Sequence, residues 1–387
     1  MRRVISACLI IRILPLLVAL ALVPVTALAQ PAAPPAPQAP WWQRVNFFGD
    51  MRVRFDNVYQ DDVASRHQAR IRLRFGARAP INDDLSFTIR FSTGDPKAPA
   101  TPNQTLGEFL SRKPFYIDQA ALVYKPRWAP VLTVAGGKYG YPVLRTQLTW
   151  DEDLNWEGAF EQVSIPAGAA RVTLTAAQSP LTESPGGPDS ALFAQQGLVV
   201  ARSGGNLFQA GVAGYVFKDV DAVALALASG DLKSHNSNAL RRDEAGNAVG
   251  FASGFRLLNV IGQATLDTGR PAYPLSVIVD WVVNTRGPSD ENKGLWIETY
   301  YGRVAAPRTY RIGYRFIRIE REAALTAFNF SELPGSNMQG HTACLAYQPA
   351  PKLTLELIAL FSQPIDVAPG APKPWMTRLQ IDAKATF

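Results

Sequence analysis

The chain is poor in the residues that staple folds or carry catalysis. Its 387 residues include two Cys and three His. Cys8 lies in the N-terminal apolar run, so Cys344 is the lone thiol of the remainder and a disulfide framework within one subunit is excluded. His67, His235 and His341 are far apart and form no HExxH pair. No GxSxG occurs, and Gly136-Gly137-Lys138-Tyr139-Gly140 lacks the spacing of a phosphate loop. The sequence thus offers no metal centre, no cofactor site and no catalytic constellation, and it reads as a non-enzyme. Charge is sparse too: Asp, Glu, Lys and Arg make up 18 % of the chain, 39 basic against 32 acidic residues, for a net charge of +7.

Long hydrophobic runs are confined to the N-terminus. Met1-Arg2-Arg3, an apolar stretch to about Val25 and the small-residue site Ala27-Leu28-Ala29 have the form of a secretory signal, so residues 1–29 are expected to be removed. With them go Arg2, Arg3 and Arg12, and the net charge falls from +7 to +4. That removes most of the case for a nucleic-acid partner. Residues 30–43, including the Pro/Ala tract Pro31 to Pro40, read as an extended spacer. Beyond it no stretch of about 18 apolar residues could cross a bilayer as a helix.

What the sequence has instead is alternation with period 2. Ala69, Ile71, Leu73, Phe75 and Ala77 interleave with Gln68, Arg70, Arg72, Arg74 and Gly76; Leu379, Ile381, Ala383, Ala385 and Phe387 interleave with Arg378, Gln380, Asp382, Lys384 and Thr386. A strand places each set on one face, whereas a helix would scatter both. Sixteen such segments are expected near 45–57, 67–78, 84–93, 115–125, 130–138, 155–165, 170–178, 191–202, 206–216, 255–267, 274–284, 294–303, 308–319, 340–348, 352–361 and 378–387. Short connections (79–83, 126–129, 203–205, 349–351) take turns with long ones (94–114, 139–154, 217–254, 320–339, 362–377). This is the asymmetry of a transmembrane antiparallel up-and-down β-barrel spanning residues 44–387, all-β, with about sixteen strands, short periplasmic turns and long extracellular loops.

Three details qualify the pattern. Val220 to Ser229 is apolar enough for a strand or short helix within the longest loop and is treated as loop structure. Ala191 to Val200 and Ser276 to Val283 are apolar on both parities, which implies an inward side covered by a loop or an outward side meeting another subunit. Aromatics near strand ends, among them Trp128, Trp150, Trp156, Trp296, Tyr310 and Trp375, fit girdles at the two membrane interfaces.

The runs Ile117-Asp118-Gln119-Ala120, Gly136-Gly137-Lys138-Tyr139 and Leu148-Thr149-Trp150-Asp151-Glu152-Asp153-Leu154-Asn155-Trp156-Glu157-Gly158, with the arginine-rich opening strands and terminal Phe387, resemble the bacterial putative porin family of Gram-negative outer membranes. Here Tyr141-Pro142-Val143-Leu144 departs from the Pro-Phe-Trp type of sequence associated with that loop. The resemblance implies a water-filled diffusion barrel, with a homotrimer as its assembly. Outer-membrane lipid, lipopolysaccharide and small hydrophilic solutes or ions would be its partners.

If the apolar parity faces lipid, Arg52, Arg54, Arg70, Arg72, Arg74, Arg90, Arg311 and Arg315 form a basic wall inside the lumen, and Asp56, Glu157, Glu161 and Asp382 also point inward. A wall of one sign favours counter-ions, so a modest anion preference is expected; the alternative is that these arginines pair with carboxylates. The loop 139–154, with Arg145 facing Asp151, Glu152 and Asp153, is expected to form the constriction, and a solvated or cation-binding acidic loop is its alternative. Two other readings compete with a porin: a secreted soluble β-rich protein for binding or adhesion, and an outer-membrane barrel enzyme.

Overall fold

The computed structural model describes residues 40–183, 187–288 and 290–387. The proposed signal and residues 30–39 of the spacer therefore lie outside the described residues.

Sixteen antiparallel strands form one sheet: β1 (Asn46–Gln60), β2 (Val63–Pro80), β3 (Leu85–Thr93), β4 (Phe115–Tyr124), β5 (Leu132–Tyr139), β6 (Trp156–Ala167), β7 (Ala170–Thr182), β8 (Ser190–Ser203), β9 (Asn206–Lys218), β10 (Arg256–Leu266), β11 (Leu275–Asn284), β12 (Lys293–Gly302), β13 (Tyr310–Ile319), β14 (Met338–Ala350), β15 (Leu353–Pro364) and β16 (Met376–Thr386). Each pairs with its sequence neighbours. The sheet closes because β1 pairs with β2 on one side and with β16 on the other, in a register running from Asp50 opposite Thr386 to Gln60 opposite Met376. Phe387 completes the seam by exchanging two backbone hydrogen bonds with Gly49 at 3.1 Å. Closure leaves no open sheet edge, which is the condition for a sheet to sit in hydrocarbon. Among the described residues no helix is long and apolar enough to cross a membrane.

The sixteen expected strands are all present, and the turns segregate as the alternation implies. One rim carries 168–169, 204–205 and 351–352; the other carries 94–114, 140–155, 219–255 and 320–337. The first hairpin departs from this, turning at Asp61 and Asp62 on the long-loop rim with Asp62 at φ +61°, and the connections 267–274 and 285–292, on opposite rims, are equal in length. The apolar segment inside the longest loop is a helix, α1 (Asp221–Ser229), ended by Gly230 at φ +80°.

Inside the barrel, three long loops fold inward and pack together. Trp150, Trp156, Tyr215, Phe217, Val223, Phe255 and Leu325 belong to one buried apolar cluster. Trp150 stacks on Phe217 and Phe328 at 5.8 and 5.6 Å. This explains the two segments that are apolar on both parities: Leu192, Ala194 and Val282 face inward and are covered by loops. It also corrects two expectations. Trp150, Trp156 and Trp296, at 2 %, 4 % and 1 % exposure, are lumenal core and not girdle residues. On β6 the apolar parity faces the lumen, because Trp156 packs on Trp150 and Phe160 packs on Tyr139. Glu157 and Glu161 therefore point outward, not inward.

Gly137 and Gly158 face each other across β5 and β6 at φ +115° and +119°. A Cβ on Gly158 would lie 2.1 Å from the Gln178 carbonyl oxygen, and one on Gly137 would lie 2.2 Å from that of Ala120. Gly158→Ala is expected to destabilise the barrel by about 1–3 kcal/mol through strain at a positive φ. Gly214→Ala, whose added methyl meets nothing within 4 Å, is the control. Thermal loss of the compact band on unheated gels should come earlier for the first variant only; equal midpoints would mean that the backbone relaxes there without penalty.

Candidate functional site

The wall formed by β1, β2 and β16 carries guanidiniums because every second residue must face the lumen, and in these strands that parity is arginine-rich. Arg52, Arg54 and Arg72 are buried at 6 %, 3 % and 3 % exposure. None of the expected basic wall stands alone. Arg54 forks onto Asp382 with two 2.7 Å hydrogen bonds and donates a third, also 2.7 Å, to Glu332. Arg72 and Arg74 share Asp50, each at 2.8 Å, and both reach Asp153, at 3.3 and 3.2 Å. Arg70 and Arg378 share Asp56, at 3.1 and 2.7 Å. Arg52 donates to Asn103 at 2.7 Å and lies 3.8 Å from Asp382. Arg90 is bound to Asp118 at 2.5 Å, Arg311 to Glu356 at 2.8 Å and Arg315 to Glu298 at 2.5 Å.

These partners divide by origin. Asp50, Asp56, Asp118, Glu298, Glu356 and Asp382 belong to strands, whereas Asp153 and Glu332 come from loops 140–155 and 320–337. The wall thereby holds both loops inside the barrel. Loop 140–155 is fixed on the far wall as well. Gln196 of β8 exchanges two 2.7 Å hydrogen bonds with the backbone of Leu144. Asp280 of β11 accepts from the Thr146 backbone N–H at 3.1 Å and from its hydroxyl at 2.5 Å. The loops also bind each other: the Asp151 N–H donates to the Phe328 carbonyl at 2.7 Å, the Phe330 N–H donates to Gln147 at 3.0 Å, and the Asp151 carboxylate accepts from the Ser331 N–H at 2.8 Å.

Loop 140–155 thus spans the lumen where the sequence placed a constriction, although its four expected charges act differently from one another. Arg145 folds back on its own loop, its guanidinium 3.7 Å from the Tyr141 ring centroid and donating to the Trp150 carbonyl at 2.7 Å. Asp153 is engaged with the arginine wall, and Asp151 is the buried staple to the second loop. Glu152 alone is exposed, with no ion pair among the described residues. It borders a cavity of about 220 Å³ that extends to Arg52, Arg311, Arg315, Glu356 and Arg378 on the opposite wall. Arg315 is held there by stacking, 4.4 Å from the Trp296 ring, and Arg311 by the Tyr300 ring at 4.7 Å. The cavity is lined by five guanidiniums and six carboxyl groups, most of them paired.

Sequence reasoning missed Asp50, Glu298, Glu332 and Glu356. Glu298 and Glu356 carry the period-2 signal, between Ile297 and Thr299 and between Leu355 and Leu357. Glu332 carries none, since its role depends on where a loop folds. Among the described residues no group of His, Cys, Asp and Glu is placed to hold a metal ion.

Burial, and after it the neighbouring Asp153 carboxylate, push Asp151 up to about 8, against the hydrogen bonds it accepts from the Asp153 and Ser331 N–H groups. Burial would also raise Glu332, but the guanidiniums of Arg378 and Arg54 outweigh it and hold this carboxyl well below the usual range.

Comparison with known proteins agrees with this architecture. Residues 57–229 match the model of a family described as putative porin, which the chain resembles. No curated protein matches. Among solved structures the chain is similar to the high-pH structure of Pseudomonas putida OprB, with 13 % identity and a TM-score of 0.58 over 89 % of this chain and 95 % of that one. It is similar to a loop L8 deletion mutant of OmpT, an outer membrane protein of Vibrio cholerae, at 13 % identity and TM-score 0.51 over 89 % and 99 %. Salmonella typhi OmpF in complex with daunomycin aligns at 11 % identity and TM-score 0.51 over 89 % and 97 %. At such identities the likeness establishes a shared fold, the closed sixteen-stranded barrel of outer-membrane porins.

Because folding raises the pKa of Asp151, its contribution to stability is complete below the ordinary carboxylate range and is lost as pH rises through about 8. The staple between the loops should therefore loosen in alkali. Amide exchange at Phe330 and Ser331 is expected to accelerate between pH 7 and 9 beyond the intrinsic trend, and Asp151→Asn should abolish that excess; an identical pH profile in the two proteins would contradict the assignment.

Proposed function

We propose that this chain is an outer-membrane porin, a passive channel through which small hydrophilic solutes and ions diffuse down their gradients. The observation that carries the reading is the charge-lined cavity left beside the inward loops of a closed barrel. A lumen surfaced by fixed guanidiniums and carboxylates solvates water and polar solutes, while the outward face is largely apolar as lipid requires. Residues 1–29 would direct export and be removed, residues 30–43 would form a periplasmic spacer, and residues 44–387 would span the outer membrane in contact with lipid and lipopolysaccharide.

The anion preference follows from the same residues, in weaker form. An unpaired arginine wall would concentrate anions strongly, but carboxylates meet each guanidinium and cancel most of that field. The net sign depends on few groups lining the cavity: the arginine-rich wall, with Arg311 and Arg315 opposite the loop, favours anions, and the exposed Glu152 opposes them. We read this as a channel with modest anion preference, open to neutral and zwitterionic solutes.

The mature protein inserted in planar bilayers should give ohmic current steps and a small reversal potential of anion-selective sign under a KCl gradient. Glu152→Gln should shift that potential further toward anions. Absence of conductance from correctly folded protein would refute the channel, and a cation-selective wild type would refute the sign.

A further inference from the structure

We infer that the cavity beside loop 140–155 binds small zwitterions, α-amino acids with a short apolar side chain, with their carboxylate at Arg52 and their ammonium at Glu152. This rests on the channel reading above and names the solute class that such a lumen would take up. A charge imbalance within the wall carries it.

Most charged groups around the cavity are matched. Arg311 meets Glu356 and Arg315 meets Glu298, while Arg72 and Arg74 share Asp50 and Asp153, two cations with two anions. The rest of the wall is not balanced. Arg52, Arg54, Arg70 and Arg378 form one cluster with Asp56, Glu332 and Asp382, four guanidiniums against three carboxylates. The deficit falls on Arg52. Asp382 is engaged by both prongs of Arg54 and stands 3.8 Å from Arg52. The one side-chain hydrogen bond that Arg52 makes among the described residues goes to the neutral amide oxygen of Asn103, at 2.7 Å, and its Nε is buried with no partner. A guanidinium carries five donors. Arg52 therefore borders the cavity more than nine-tenths buried and with unmet donor capacity, which favours an anionic ligand group.

The complementary surplus sits on the loop. Glu152 is exposed, borders the same cavity and has no ion pair among the described residues. One cation and one anion are left over on the walls of one cavity. A simple anion gains at Arg52 and is repelled by Glu152, and a simple cation meets the reverse. A solute that carries both charges gains at both, and a contact made through one ordered water loses little. Size and lining agree with this. The cavity measures about 220 Å³, and a single water needs roughly 10–15 Å³ of such free space, so a solute of several heavy atoms fits. Phe330, Ile358 and Leu360 add apolar surface to the lining, which suits a short aliphatic side chain.

The test uses the full mature protein in planar bilayers, with L-valine as the probe. Valine should reduce the KCl current in a saturating manner. Isovalerate, which lacks the ammonium, and isobutylamine, which lacks the carboxylate, should need about tenfold higher concentrations or more for the same reduction, as the loss of one charge-assisted hydrogen bond requires. Glu152→Gln should erase the advantage of valine over isovalerate, and Arg52→Gln its advantage over isobutylamine. Glu152 is exposed on its loop, so its variant stays decisive if the Arg52 variant fails to fold. Equal block by the three probes, no block by valine, or an unchanged preference in Glu152→Gln overturns the inference. Calorimetric titration of the same protein with valine separates the failures: KCl conductance without valine binding sinks the site alone, whereas a folded protein that binds valine and passes no KCl current sinks the channel reading beneath it.

Discussion

The arrangement depends on one constraint: guanidiniums placed inside a closed sheet have to be met by carboxylates. Strand alternation forces Arg52, Arg54, Arg70, Arg72 and Arg74 inward, and a buried cation without a partner is far costlier than one that is paired. The strands supply part of the answer through Asp50, Asp56 and Asp382. The rest comes from Asp153 and Glu332, which are remote in sequence from the arginines they bind. Two loops are therefore tied to the wall inside the lumen by the ion pairs that meet its charge requirement.

Once inside, the loops create a second environment. Their apolar residues pack against the inward faces of β6 to β12 and form a core within the barrel, anchored by Gln196 on Leu144 and Asp280 on Thr146. The lumen is thus divided: one side is filled by the buried apolar cluster, and the other, bounded by β12 to β16 and β1, keeps the charge-lined cavity. On the proposed channel reading, the free space in the lumen would be set by two loops and its charge by how completely the pairs cancel.

The barrel was legible in the sequence because lipid on one side and water on the other impose period 2, and that signal survives in most of the strands. The basic wall was legible for the same reason, and so was the location of the crossing loop, from its length and its acids. The inference failed where its premise failed. On β6 the apolar parity packs on loops and not on lipid, so Trp156 went to the wrong side and took Glu157 and Glu161 with it. Glu332 was invisible because nothing local marks a loop carboxylate as the partner of Arg54 and Arg378 across the lumen. Segments apolar on both parities, 191–200 and 276–283, were the available warning that the lumen is partly dry.

On the proposed reading, inward loops held by ion pairs to the arginine wall would leave a sixteen-stranded barrel only a narrow way through. The most direct measurement is the effect of size-graded neutral polymers on single-channel current. The account predicts that only the smallest polyethylene glycols enter and depress the conductance, with larger ones excluded from both faces. Free entry of polymers that fill an unobstructed barrel of this strand number would contradict it.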